Sequence, residues 1–188
     1  SSFGKFHVDG KNAMETLQYI SCANIDVEPG KVIYTQWLND RGGIEADLTI
    51  ARINEDSYDV ITSISSLKRD WSHLNKHLKA DTNVTDITMD YACLSVQGPQ
   101  SRVLLQNIIN VDLSNEHFIF GTGKYAKISG TKLWIQKLSY VGELGWELFI
   151  PSVDAQKVYL AIKQEGKKYQ ICDVGLHAVN SLRLEKGY

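Results

Sequence analysis

Apolar positions along the chain follow two periods, and the alternation between them divides the sequence into strands and helices. Side chains two apart share a strand face, whereas those three and four apart share a helix face. Apolar runs at 4–8, 32–38, 46–53 and 58–64 predict strands, and the character already begins in Ser1-Ser-Phe-Gly-Lys-Phe6. Between them lie the turn residues Glu28-Pro-Gly30, Asn39-Asp-Arg-Gly-Gly43 and Asn54-Glu-Asp-Ser57, which give an antiparallel meander. A helix over 11–21 precedes this meander. After it, Ser66 caps a helix in which Leu67, Trp71, Leu74 and Leu78 form one buried stripe. Lys68, Arg69, Asn75, Lys76 and Lys79 occupy its other face.

The second half repeats strand, turn and helix. A strand over 91–96 enters Gly98-Pro99, where proline suits a first helical turn, and a helix continues through Val103, Leu104 and Ile108. Strands over 124–128 and 132–138 meet at Ser129-Gly130 as a hairpin, and a strand over 147–150 follows a glycine-rich loop. Ser152 or Asp154 caps a helix ending near Gly166, and a last helix over 176–186 finishes at Gly187. The predicted class is α+β, with mixed or antiparallel sheets and packed helices. No tandem repeat or low-complexity linker is present, and the length fits one large domain or two small ones; residues 1–188 are taken as a single domain.

Composition narrows the function classes. The 188 residues are 43% hydrophobic with a formal net charge of -2, enough for an ordinary core. Lysines and arginines are dispersed, which argues against a nucleic-acid binder. No run of about 18 apolar residues and no signal-peptide pattern is present, so the expectation is a soluble protein without a visible address. Strand character at the very start suggests a fragment of a longer chain. Cys22, Cys93 and Cys172 are dispersed in apolar contexts without a C-x-x-C pair, which predicts reduced, buried thiols. Asn83-Val-Thr85 matches a glycosylation acceptor, which matters only in a secreted protein.

Candidate chemistry centres on Tyr140-Val-Gly-Glu-Leu-Gly-Trp-Glu-Leu-Phe-Ile-Pro151. Trp146, Leu148 and Ile150 alternate with Glu147 and Phe149, while Gly142 and Gly145 permit backbone angles other residues avoid. Tyr140 and Glu147 are expected to face one cavity. A carboxylate among apolar neighbours pairs with a cation, takes N–H donors from a ligand, or faces solvent on an edge strand. Asp70, in the first turn of the Ser66 helix, is favoured there by the macrodipole, by about 0.3–1 kcal/mol. A partly buried carboxylate there also suits stabilisation of a cationic intermediate or proton transfer from an amine. His73 and His77 have the i, i+4 spacing of metal ligands but no third ligand in context, so no metal is expected. Phe120-Gly-Thr-Gly-Lys124 fails the phosphate-loop pattern, and neither G-x-S-x-G nor G-x-G-x-x-G occurs. Arg183 and Glu185 read as an ion-paired helix end.

Six segments in order extend the picture: Ser2-Phe-Gly-Lys-Phe6, Leu38-Asn-Asp-Arg-Gly-Gly-Ile-Glu-Ala-Asp-Leu48, Ser66-Leu-Lys-Arg-Asp-Trp71, Val96-Gln-Gly-Pro99, Tyr140-Val-Gly-Glu-Leu-Gly-Trp-Glu147 and Asn180-Ser-Leu-Arg-Leu-Glu-Lys-Gly187. Together they resemble the aminomethyltransferase family: the T-protein of the glycine cleavage system and the folate half of dimethylglycine and sarcosine dehydrogenases. The first and last segments look more like the dehydrogenase branch. This resemblance implies a folate-binding fold, lacking a C-terminal β-barrel domain, that binds tetrahydrofolate and yields 5,10-methylenetetrahydrofolate from an aminomethyl or iminium donor. It places FAD only in a missing upstream oxidase domain and implies that domain, or a lipoyl carrier protein, as partner. Nucleic acid and membrane are not implied as partners. The expected compartment is a bacterial cytoplasm or a mitochondrial matrix. By position, Asp70 matches the family's catalytic Asp, Glu147 its pterin-binding Glu and Tyr140 a pocket Tyr, with Ser72 a weaker folate contact. Val179 stands where T-proteins carry a folate-contacting Arg, a departure read mainly as a branch marker. A non-catalytic regulatory or assembly domain on the same fold is the competing expectation.

Overall fold

The N-terminal apolar alternation becomes strand β1 (Phe3–Asp9), whose Phe6 and Val8 point into a core while β4 (Ser57–Ser63) and β5 (Asn83–Asp86) pair along its two edges. The computed structural model describes residues 3–188; Ser1 and Ser2, expected at the head of this strand, lie outside the described residues. Residues 1–90 and 91–188 form two compact units.

In the first unit, α1 (Ala13–Ile20), β2 (Val32–Leu38), β3 (Ile44–Asn54) and α2 (Leu67–Lys76) complete the architecture. Its antiparallel sheet runs β2-β3-β4-β1-β5. Leu17 of α1 and Leu74 of α2 are fully buried against Phe6, Trp37, Ile50 and Tyr58. The stripe predicted for α2 is present in Leu67, Trp71 and Leu74, whereas Leu78, expected to continue it, follows the helix end at Lys76 and still packs on that core. β5 was not anticipated. It has four residues and one apolar side chain, Val84, so its strand state comes from pairing with β1.

The second unit holds β6 (Tyr91–Gln97), α3 (Ser101–Gln106), β7 (Gly123–Ile128), β8 (Thr131–Gln136), β9 (Gly145–Pro151), α4 (Ala155–Gly166) and α5 (Leu176–Glu185). Its antiparallel sheet runs β6-β9-β8-β7. Ser129 and Gly130 both have positive φ, 49° and 81°, as a tight hairpin turn between β7 and β8 requires. Trp146, Leu148 and Ile150 of β9 lie in a core with Leu105, Ile135 and Val158. The α+β class with antiparallel sheets is thus observed.

Three expectations change. Ser66 flanks α2 but its hydroxyl makes no cap bond; it donates to Asp70 instead. Cys22 and Cys172 are exposed and Cys93 is half-buried, because the segments carrying the first two run along the surface. Arg183 does not pair with Glu185; its guanidinium donates to the Tyr188 carbonyl and lies over Tyr140. No helix among the described residues is long and apolar enough to cross a membrane.

Candidate functional site

In the first unit, Asp70 is completely buried in the opening turn of α2. Its Oδ2 accepts from Thr62 Oγ1 of β4 at 2.5 Å and from Ser66 Oγ at 2.7 Å. Its Oδ1 accepts from Arg69 Nε and from a terminal guanidinium nitrogen of the same residue, each at 2.9 Å. Four donors therefore occupy the carboxylate, and the arrangement staples β4 to α2 as well as placing an anion there. Arg69 is the one partner with a side chain 55% exposed, so it is the group whose departure would open Asp70.

Ser72 is exposed and lines an open cleft of about 320 Å³ with Asp40, Glu45, Arg69, Lys76 and His77. His73 and His77 approach to 4.7 Å between ring centroids, and His77 Nδ1 donates to the His73 carbonyl at 2.8 Å. Burial and the neighbouring His77 push the His73 imidazole below its ordinary value. Among the described residues, no group of three or more His, Cys, Asp or Glu is arranged to hold a metal ion.

In the second unit, Glu147 lies on β9 between β6 and β8, so the solvent-facing edge-strand alternative does not hold. It is 9% exposed, and among the described residues no cation pairs with it. Its Oε2 accepts from Gln136 Nε2 at 2.9 Å, and Gln136 Oε1 in turn accepts from Trp134 Nε1 at 3.2 Å. Glu147 Oε1 has no protein donor among the described residues. Burial pushes the carboxyl above its ordinary value, and the Gln136 bond offsets this in part. A carboxylate in this state is suited to accept paired N–H donors from a ligand.

Glu147 is buried on β9, and Tyr140 belongs to the loop that leads into that strand. Tyr140 is 52% exposed in the loop before β9, with the Arg183 guanidinium 5.7 Å from its ring centroid. Glu143 in the same loop pairs with Lys186 at 2.8 Å. Gly142 has φ +69, and a Cβ there would meet Lys186 and Tyr188, so this glycine lets the loop lie on the end of α5. Gly145 needs no unusual angle; its missing Cβ leaves room for the Gln97 side chain. Val179, half-buried, lies on α5. Sequence reasoning missed Gln136 and Trp134. Their signal is a polar residue two positions from a tryptophan at the buried end of a strand, which acquires meaning only from the β8–β9 register.

The sequence matches the GCVT N-terminal domain across residues 1–188. Human mitochondrial sarcosine dehydrogenase is 36% identical over 204 residues, covering all of this chain and 22% of that protein. The mouse mitochondrial pyruvate dehydrogenase phosphatase regulatory subunit is 34% identical, over 99% of this chain and 22% of its own length. Among solved structures, the glycine cleavage system aminomethyltransferase T from Bartonella henselae superposes with a TM-score of 0.86 at 26% identity, covering the whole chain and 50% of that protein. The chain therefore spans about a fifth of each of these two relatives and half of that aminomethyltransferase.

Proposed function

The chain belongs to the GCVT N-terminal domain family, and on that premise we propose that residues 1–188 act as one folate-binding domain, transferring a one-carbon unit to tetrahydrofolate. The observation that carries this reading is Glu147: central in its sheet, buried and, among the described residues, without a paired cation or a donor to Oε1. The donor set fits. A pterin presents an amino group and a ring N–H side by side, and Oε1 together with the second lone pair of Oε2 accepts both. When bound, tetrahydrofolate supplies the nitrogens that carry the one-carbon unit away as 5,10-methylenetetrahydrofolate.

The remaining roles belong to the chain. Glu147 binds and orients the pterin. Asp70 stabilises positive charge on an aminomethyl or iminium donor and takes up an amine proton. Because Thr62, Ser66 and Arg69 hold its oxygens, that role needs Arg69 to turn outward. Tyr140 and Ser72 are assigned as further folate contacts. The whole protein is proposed to be dimethylglycine or sarcosine dehydrogenase-like, with FAD confined to an upstream domain that generates the donor. A T-protein-like arrangement would instead draw its donor from a lipoyl carrier.

A non-catalytic regulatory domain is the second reading. It is favoured by the saturated shell of Asp70, by Val179 and by similarity to a phosphatase regulatory subunit. Asp70→Asn in the full-length protein separates the two. A transferase retains tetrahydrofolate binding and loses one-carbon transfer by about 10²–10⁴; unchanged transfer removes the catalytic assignment.

A further inference from the structure

Glu147 is held by a short polar chain that runs across the sheet of the second unit. Trp134 and Gln136 are two residues apart on β8 and share a face, and Gln136 stands opposite Glu147 of β9. Gln136 is fully buried and Trp134 is 7% exposed. An indole nitrogen only donates, so the Trp134 bond fixes the oxygen end of the Gln136 amide toward the ring and its NH2 end toward Glu147. Gly123, opposite Gln136 on β7, contributes by absence. A Cβ there would come within 2.5 Å of the Trp134 ring, so only glycine leaves the indole in this place.

We infer that Gln136, locked by Trp134, is the positioning residue of the ligand-binding carboxylate: it offers a permanent donor to Oε2 and reserves Oε1 for donors on the ligand. The inference rests on the Glu147 assignment above and adds how that group is kept ready. A free amide could rotate and present its carbonyl to the carboxyl oxygen. That would favour the protonated acid, which is a poor acceptor for an N–H pair. With the indole bond in place, only the NH2 end faces Glu147, and the ionised form is the better partner. The cross-strand neighbours of Glu147 are Ser95 on β6 and Gln136 on β8, neither ionisable. Among the described residues, the Gln136 hydrogen bond is what acts against burial on this carboxyl, and no charged group acts beside it. Other buried polar groups of this unit, such as the Lys137 ammonium on Asn115 and the Phe118 carbonyl, tie loops to strands and do not reach Glu147.

The test is a carboxyl-carbon NMR titration of Glu147 in the ligand-free chain, compared with Gln136→Leu and Trp134→Phe. Both replacements keep apolar bulk in place. The expected result is an upward move of the Glu147 midpoint by about one pH unit in Gln136→Leu, with a smaller move in the same direction in Trp134→Phe. A role in packing alone leaves the midpoint where it is, so folded variants that titrate like the parent overturn the inference. Should Gln136→Leu fail to fold, Trp134→Phe decides alone by the same criterion. Tetrahydrofolate affinity supplies the second readout, with a loss of about tenfold in Gln136→Leu following the raised midpoint. A parent chain that shows the NMR shifts in its variants yet binds no tetrahydrofolate supports the positioning role and rejects the folate reading, so the two claims fail separately.

Discussion

Glu147 is buried with Oε2 on Gln136 and Oε1 without a protein donor, so in the absence of a ligand its charge is a cost to folding at neutral pH. The folded chain holds the carboxyl proton more tightly than the unfolded chain does, and stability therefore falls as pH rises through the raised value. Glu147→Gln removes the charge while keeping the shape and an acceptor for Gln136. Thermal and urea unfolding of the ligand-free variant at pH near 7 should show a gain on the order of 1 kcal/mol; a loss of that size would mean the carboxylate stabilises the fold. A group that stabilises when neutralised and binds when charged has the character of a functional residue.

At the scale of elements, α2 is held to the first sheet by both its apolar stripe and the Asp70 staple. Thr62 on β4 is 2% exposed and donates to Asp70, so Thr62→Val leaves a buried carboxylate lone pair unmet. The expected cost is about 1–3 kcal/mol in urea denaturation; a neutral result would show that Ser66 and Arg69 suffice. The cross-strand pair of β1 and β4 gives the pH response of the same unit. His7 Nδ1 lies 2.6 Å from Asp59, and the hydrogen bond to that carboxylate, opposed by burial and aided by the charges of Asp59 and Asp9, raises the imidazole above its ordinary 6.5. Its contribution is fully present below 6.5 and is lost as pH rises through the higher folded value. Chemical denaturation across that window should show falling stability in the parent and a flatter profile in Asp59→Asn. The slope is expected to be modest, because the two side chains remain 35% and 26% exposed. The α2 stripe was legible because helical periodicity is local, and Asp70 was legible as a candidate by its place in the first turn. Its shell was not, since Thr62 reaches it from a strand and Ser66 does so by a role other than capping. Gln136 was hidden for the same reason: it lies eleven residues from Glu147 along the chain and meets it only through strand register.

For the molecule as a whole, the repeated strand-turn-helix order was readable in the apolar pattern, and each of the two compact units carries its own core. The boundary at 90/91 was not, because no composition change or glycine- and proline-rich linker marks it. Leu17 and Leu148 are fully buried in the first and second cores, and Leu17→Ala or Leu148→Ala should each cost about 2–5 kcal/mol in guanidinium unfolding. A cost under about 1 kcal/mol would show that the site closes around the deletion. The central claim is that this chain uses Glu147 to hold a reduced folate. Anaerobic calorimetry of tetrahydrofolate on the parent chain and on Glu147→Gln tests it directly. The account predicts binding to the parent and a loss of tenfold or more in the variant, at least about 1.4 kcal/mol. A folded parent that takes up no tetrahydrofolate, or a variant that binds as tightly as the parent, contradicts it.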